Sequence, residues 1–140
     1  MPYVAIMGES IEEQKLLKLL AGSEIGAVVT FSGVVRETEE GKRLKSLYYE
    51  TQESMAINVI NNLVNESISK FDLIDALAVH RKGEVKVGEI SVFVAACSKH
   101  RLGAFRGCEF IIDGIKIDAP IWKRDIFTDG ERWRSERFEK

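Results

Sequence analysis

Two cysteines, two histidines and two prolines in 140 residues leave little room for several kinds of protein. A pair of cysteines with no Cys-x-x-Cys and no His-x-x-x-His spacing argues against a zinc site, and no Gly-rich phosphate loop of Walker or Rossmann type is present, so no metal or other cofactor is expected. Cys97 and Cys108 stand in apolar surroundings, where a free thiol is a small hydrophobe. Few prolines, with 45% hydrophobic and 30% charged residues, exclude a long disordered or low-complexity segment. No apolar run approaches the ~20 residues of a membrane span, and the first residues lack a basic region, so a cytoplasmic protein is expected. A formal charge of −2 and a pI near 5.8 argue against general nucleic-acid binding. Any anion site must therefore be local.

The length fits one domain over residues 1–140, and neither an internal repeat nor a linker interrupts it. Tyr3 to Met7 reads as a strand, and Ser10-Ile11-Glu12-Glu13 reads as a capping box opening a helix that runs to Gly22. Ala27 to Phe31 is β-branched and aromatic, a strand expected to be buried on both faces, with Gly33 before Val34-Val35-Arg36. A polar loop from Glu37 to Arg43 precedes a strand over Leu44 to Glu50. Ala56, Val59, Ile60, Leu63, Val64 and Ile68 then recur at helical spacing. Leu73 to Arg81 and Glu84 to Cys97 read as antiparallel strands punctuated by Gly83 and Gly88.

A second long helix is predicted from Lys99 to Ile117, capped by Ser98 and ended by Asp118-Ala119-Pro120. Ile121 to Phe127 returns to extended chain. Over residues 128–137 the charges alternate in sign, as on a solvated face, and predict a structural or interfacial tail. The order of elements predicts an α+β fold with a mixed, largely antiparallel sheet and two long helices.

Chemistry concentrates at a few places. Lys116 and Lys123 flank Pro120 in an apolar stretch, where desolvation or a neighbouring cation would lower a lysine pKa; two surface lysines beside a turn would look the same. His100 and Arg101 lie at a helix start, where the dipole disfavours cations and a bound anion would give them a reason to be there. Arg36 follows a strand and could act as a second fork for phosphate or carboxylate. His80 reads as a structural strand-end residue. Sixteen positions of helix separate His100 from Lys116, about 24 Å, too far for one small ligand. A two-fold dimer would bring the two ends together across chains, so a shared site is expected.

Several segments in order carry a resemblance over nearly the whole chain: Gly26 to Arg36, Leu47-Tyr48-Tyr49-Glu50 with Met55-Ala56, His80-Arg81-x-Gly83 with Gly88-Glu89, His100-Arg101-x-x-Ala104-Phe105, and Lys116-x-x-Ala119-Pro120-x-Trp122-Lys123-Arg124. In these the chain resembles the MoaE family, the large catalytic subunits of molybdopterin synthase. The resemblance implies an α/β-hammerhead-like fold and a sulfurtransferase. Such an enzyme moves two sulfurs from the Gly-Gly thiocarboxylate of a small ubiquitin-like (MoaD-type) carrier subunit to cyclic pyranopterin monophosphate, forming the dithiolene of molybdopterin. It also implies a homodimeric core within a heterotetramer, with no membrane or nucleic-acid partner.

By the same resemblance, Lys116 and Lys123 are catalytic, and Val34, Val35, Arg36, His100, Arg101, Arg124 and Asp125 bind substrate, with the His-Arg pair supplied by the opposite subunit. Asp125 stands where the family has glutamate, Asp118 places an acid between the two lysines, and the tail ends soon after Trp133. A non-catalytic module that docks a ubiquitin-like tail is the alternative reading.

Overall fold

The computed structural model describes residues 2–135, and from residue 130 onward only the backbone. Its strands are β1 (Tyr3–Met7), β2 (Ala27–Val34), β3 (Thr38–Glu39), β4 (Lys42–Thr51), β5 (Asp75–Arg81), β6 (Gly83–Lys86), β7 (Ile90–Ser98), β8 (Ile121–Phe127) and β9 (Gly130–Ser135). The helices are α1 (Glu13–Leu17), α2 (Glu53–Lys70) and α3 (Arg101–Asp118). The alternating charges read over residues 128–137, and Trp133 with them, fall from residue 130 on outside the described side chains.

This is the expected α+β fold with its two long helices, but the strands divide into two sheets. The first has the order β1-β5-β7-β2, antiparallel except for the parallel β1–β5 pair. The second is antiparallel, ordered β3-β4-β8-β9, with β6 also pairing β4. The division occurs at Gly83 and Gly88, whose positive φ angles of 79° and 88° turn residues 83–86 away from β5 and β7 and onto β4.

Strand periodicity explains the core. Along β5 and β7, Ala76, Ala78, Val92, Val94 and Ala96 face the cluster built with α2 and α3, while Leu77, Val79, Phe93 and Ala95 face a smaller cluster with Ile11 and Leu16. A sheet covered on both sides must bury alternate residues in opposite directions, which is why these strands read as continuous apolar runs.

Three local expectations are corrected. The helix after Ser10 starts later and ends sooner, because Ile11 is buried against the sheet and Glu13 accepts a hydrogen bond from the Ser32 hydroxyl at 2.5 Å. Glu12 holds the N-cap position without a side-chain cap, and the chain leaves the helix through i→i+3 bonds from Leu19 to Leu16 and from Leu20 to Leu17. His100, not Ser98, occupies the N-cap position of α3; the Ser98 hydroxyl instead donates to the His100 carbonyl. The strand β2 is not buried on both faces. It lies at the sheet edge, and Val28, Phe31 and Val34 are 49%, 36% and 52% exposed.

Gly26 sets the start of β2. Its N–H donates to the Ser98 carbonyl at 3.0 Å, and a Cβ there would lie 2.2 Å from the carbonyl oxygen of Lys99, a backbone atom with nowhere to move. The Gly26→Ala variant is therefore expected to lose about 1–3 kcal/mol in urea unfolding, as overpacked sites do; an unchanged midpoint would contradict the close approach.

Candidate functional site

The strand directions distribute the charged residues. Because β2 and β5 both run antiparallel to β7, the far ends of β2 and β5 lie together beside the start of β7. α3 leaves the end of β7 and packs back over it and over β2. The C-terminal end of α3, with Lys116, therefore comes to the same side of the domain as Arg36, His80 and Arg81. His100 and Arg101, both exposed, sit at the opposite end, one helix of eighteen residues away, about 27 Å. The distance predicted from spacing is thus kept by an unbroken helix.

Lys116 is half-buried in the last turn of α3, where the negative end of the helix dipole favours a cation. Ala119 and Pro120 are buried, and the Pro120 carbonyl accepts from the N–H of Gln52, which pins the connection from α3 into β8. Along β8 the residues alternate: Ile121, Lys123, Asp125 and Phe127 are buried, whereas Trp122, Arg124 and Ile126 face the other way and are half-exposed. Lys123 is 6% exposed and Asp125 1% exposed. Two positions apart on one strand, they share a face, and Lys123 Nζ lies 3.8 Å from Asp125 Oδ1.

Sheet register fixes the neighbours of that pair. Lys123 stands opposite Tyr49 and Asp125 opposite Leu47, so the pair shares its face of the sheet with two buried side chains of β4. The Tyr49 ring meets His80 edge-on, with centroids 4.9 Å apart and planes at 78°. His80 is buried, and its Nδ1 donates to the Arg81 carbonyl at 2.7 Å. Arg81 is buried as well and donates from Nη2 to the carbonyls of Gly8 and Glu84, each at 3.1 Å. The structural reading of His80 agrees with this: the His80–Arg81 pair braces the wall behind Lys123.

The remaining candidates take separate places. In the segment 34–36, Val34 and Arg36 face outward, while Val35 is 3% exposed and held by main-chain bonds to Glu89 and Gly88, so its side chain belongs to the core. Arg36 donates from Nη2 to Glu39 at 2.5 Å. Arg124 lies over the Tyr48 ring, 4.8 Å from its centroid, on the face of β8 opposite Lys123. Tyr49 and Glu39 were not candidates in the sequence; Tyr49 stood within a matching motif, and no spacing signal marked Glu39.

Other groups do not offer the site a nucleophile. Burial pushes the Cys108 thiol up to about 11, and desolvation also raises Cys97. An open cleft of about 410 Å³ beside Tyr49 carries Glu50, Glu53 and Glu84 against the single cation Lys82, a lining that repels anions. An anionic ligand is better served on the Lys116 and Arg36 side. Among the described residues no helix is long and apolar enough to cross a membrane.

The buried Lys123–Asp125 pair should behave as one unit. In a double-mutant cycle with Lys123→Met and Asp125→Asn, the coupling measured by chemical unfolding is expected to be on the order of 1–3 kcal/mol. The double variant should be more stable than Asp125→Asn alone, because no cation is then left buried without its acid. Strict additivity would show that the two side chains do not interact.

The sequence model of the MoaE protein family matches residues 6–118. The chain is 37% identical to the molybdopterin synthase catalytic subunit of Pyrococcus abyssi over 125 residues, covering 89% of this chain and 84% of that protein. It is 41% identical to the corresponding subunit of Thermoplasma volcanium over 128 residues, covering 91% and 93%. The crystal structure of molybdopterin synthase from Staphylococcus aureus superimposes with a TM-score of 0.87 at 35% identity, covering 92% of this chain and 94% of that one. By its sequence and by its fold, this chain belongs to the MoaE family.

Proposed function

We propose that this chain is the catalytic subunit of a molybdopterin synthase. It transfers two sulfurs, one at a time, from the thiocarboxylated C-terminus of a small ubiquitin-like carrier to cyclic pyranopterin monophosphate. The relatives that cover most of its length are named as catalytic subunits of this enzyme. The observation that carries the residue assignment is a buried lysine beside an acid, Lys123 with Asp125, on the strand that follows the half-buried Lys116.

In this reading the carrier's tail comes to the Lys116 and Lys123 side. As the thiocarboxylate sulfur bonds to a side-chain carbon of the precursor, the carbon–oxygen bond it replaces breaks with negative charge on oxygen. Water then cleaves the carrier's acyl–sulfur bond to release the carrier as a carboxylate. A buried ammonium stabilises the charge on oxygen more than one in solvent would. We assign that role to Lys123 because it is 6% exposed and its strand partner Tyr49 is buried as well. To Lys116, nearer solvent at the helix end, we assign the movement of protons. Arg36 with the exposed Val34 holds the substrate's phosphate end, Asp125 fixes Lys123, and Arg124 would reach the substrate from the Tyr48 face.

His100 and Arg101 complete the site from a second copy. The eight residues of β2 span about 27 Å, close to the length of α3, and β2 begins beside Ser98 and ends near Arg36. A two-fold axis past the middle of β2 reverses the strand, setting the partner copy's helix start against this copy's Arg36. The surface there suits burial: Val28, Phe31, Leu102 and Phe105 are exposed, and an apolar groove of about 230 Å³ runs between β2 and α3. Two free, buried thiols fit a reducing compartment, and we place the reaction in the cytoplasm.

The test is dithiolene formation from thiocarboxylated carrier and cyclic precursor. Removing a transition-state donor of this kind costs about 10²–10³ in kcat, so Lys116→Ala and Lys123→Ala should each lose about that much. Unchanged turnover in both variants would sink the lysine roles. A wild type that binds the carrier yet forms no product would make the chain a docking module.

A further inference from the structure

Arg36 is 70% exposed, yet the carboxylate that holds it, Glu39, is only 11% exposed. With the arginine largely in solvent, the pair is screened and contributes little to stability, so this contact is poorly explained as a fold-stabilising one. The asymmetry matters more. Glu39 sits on β3, paired to Lys42 across a tight hairpin whose turn residues Glu40 and Gly41 both have positive φ, 55° and 75°. The hairpin is tied down at its base by the Leu44 N–H to the Glu37 carbonyl, 2.7 Å, and by the Thr128 N–H to the Arg43 carbonyl, 3.1 Å. A Lys42–Asp129 ion pair at 3.6 Å adds a further tie. The acid is therefore the fixed partner and the arginine the guided one.

A guanidinium has two edges, and the bond to Glu39 uses Nη2. The rest of the exposed fork remains available to a second anion. We propose that Glu39 is a positioning residue that pre-orients Arg36 for the phosphate of the substrate; this rests on the reading of Arg36 as a phosphate anchor. Holding the long side chain in advance removes rotamer entropy that binding would otherwise have to supply. The opposite role, a latch that phosphate must displace, has the opposite sign in experiment.

Steady-state kinetics with the carrier and cyclic pyranopterin monophosphate separate the two. For Glu39→Ala we expect the precursor KM to rise about five- to tenfold with kcat nearly unchanged, the size of one ordered long side chain. Glu39→Gln, which keeps an acceptor, should recover part of that loss, and Glu39→Ala should add nothing in an Arg36→Ala background. A KM that stays level or falls in Glu39→Ala overturns the positioning role. If Arg36→Ala itself leaves KM unchanged, the phosphate-anchor reading has failed instead, and the role of Glu39 with it.

Discussion

The length of one rigid helix governs how this protein can work. α3 runs unbroken for eighteen residues, with the His100–Arg101 pair at its start and a lysine in its last turn. Gly103, Gly107 and Gly114 let it pack so closely that added Cβ atoms would come within 2.7 Å of the Phe71 carbonyl, 2.7 Å of Leu73 and 2.5 Å of Leu63. A helix seated this tightly cannot bend to bring its ends together, since packed interiors resist deformation. The His100–Arg101 pair and Lys116 are thereby held at opposite ends of the domain, and if both serve one small ligand, as proposed, symmetry is the simplest way to reunite them.

The second constraint is the placement of a charge inside the wall of a sheet. On β8 strict alternation sends Lys123 and Asp125 inward with Ile121 and Phe127. An ammonium there is tolerable because an acid shares its face, 3.8 Å away. Tyr49, His80 and Arg81 extend this arrangement backward into the first sheet, so the buried ion pair and the junction between the sheets are one structure.

Much of this was legible in the sequence, for reasons that can be named. The strands Tyr3–Met7 and Ile121–Phe127 and both long helices follow from local periodicity and from Pro120, and those signals act over a few residues. The separation of His100 from Lys116 needed only helix rise. What was not legible depends on contacts distant in sequence. The capping box at Ser10 lost to burial of Ile11, β2 looked central because β-branched composition does not say which strand is at an edge, and the resemblance that marked Val35 carried no sign that its side chain packs in the core. The acid beside Lys123 became visible only once β8 was known to alternate, and Glu39 only once the hairpin had folded back on Arg36.

The central claim is that the site is built from two copies of the chain, and hybrid dimers test it most directly. An inactive His100→Ala/Arg101→Ala variant mixed with an inactive Lys116→Ala variant forms hybrids with one doubly defective site and one intact site. With equal amounts and random exchange, sulfur transfer should recover to about one quarter of the wild-type rate, since half of the dimers are hybrids with one working site of two. No recovery despite verified subunit exchange would place the whole site within a single chain and contradict the account.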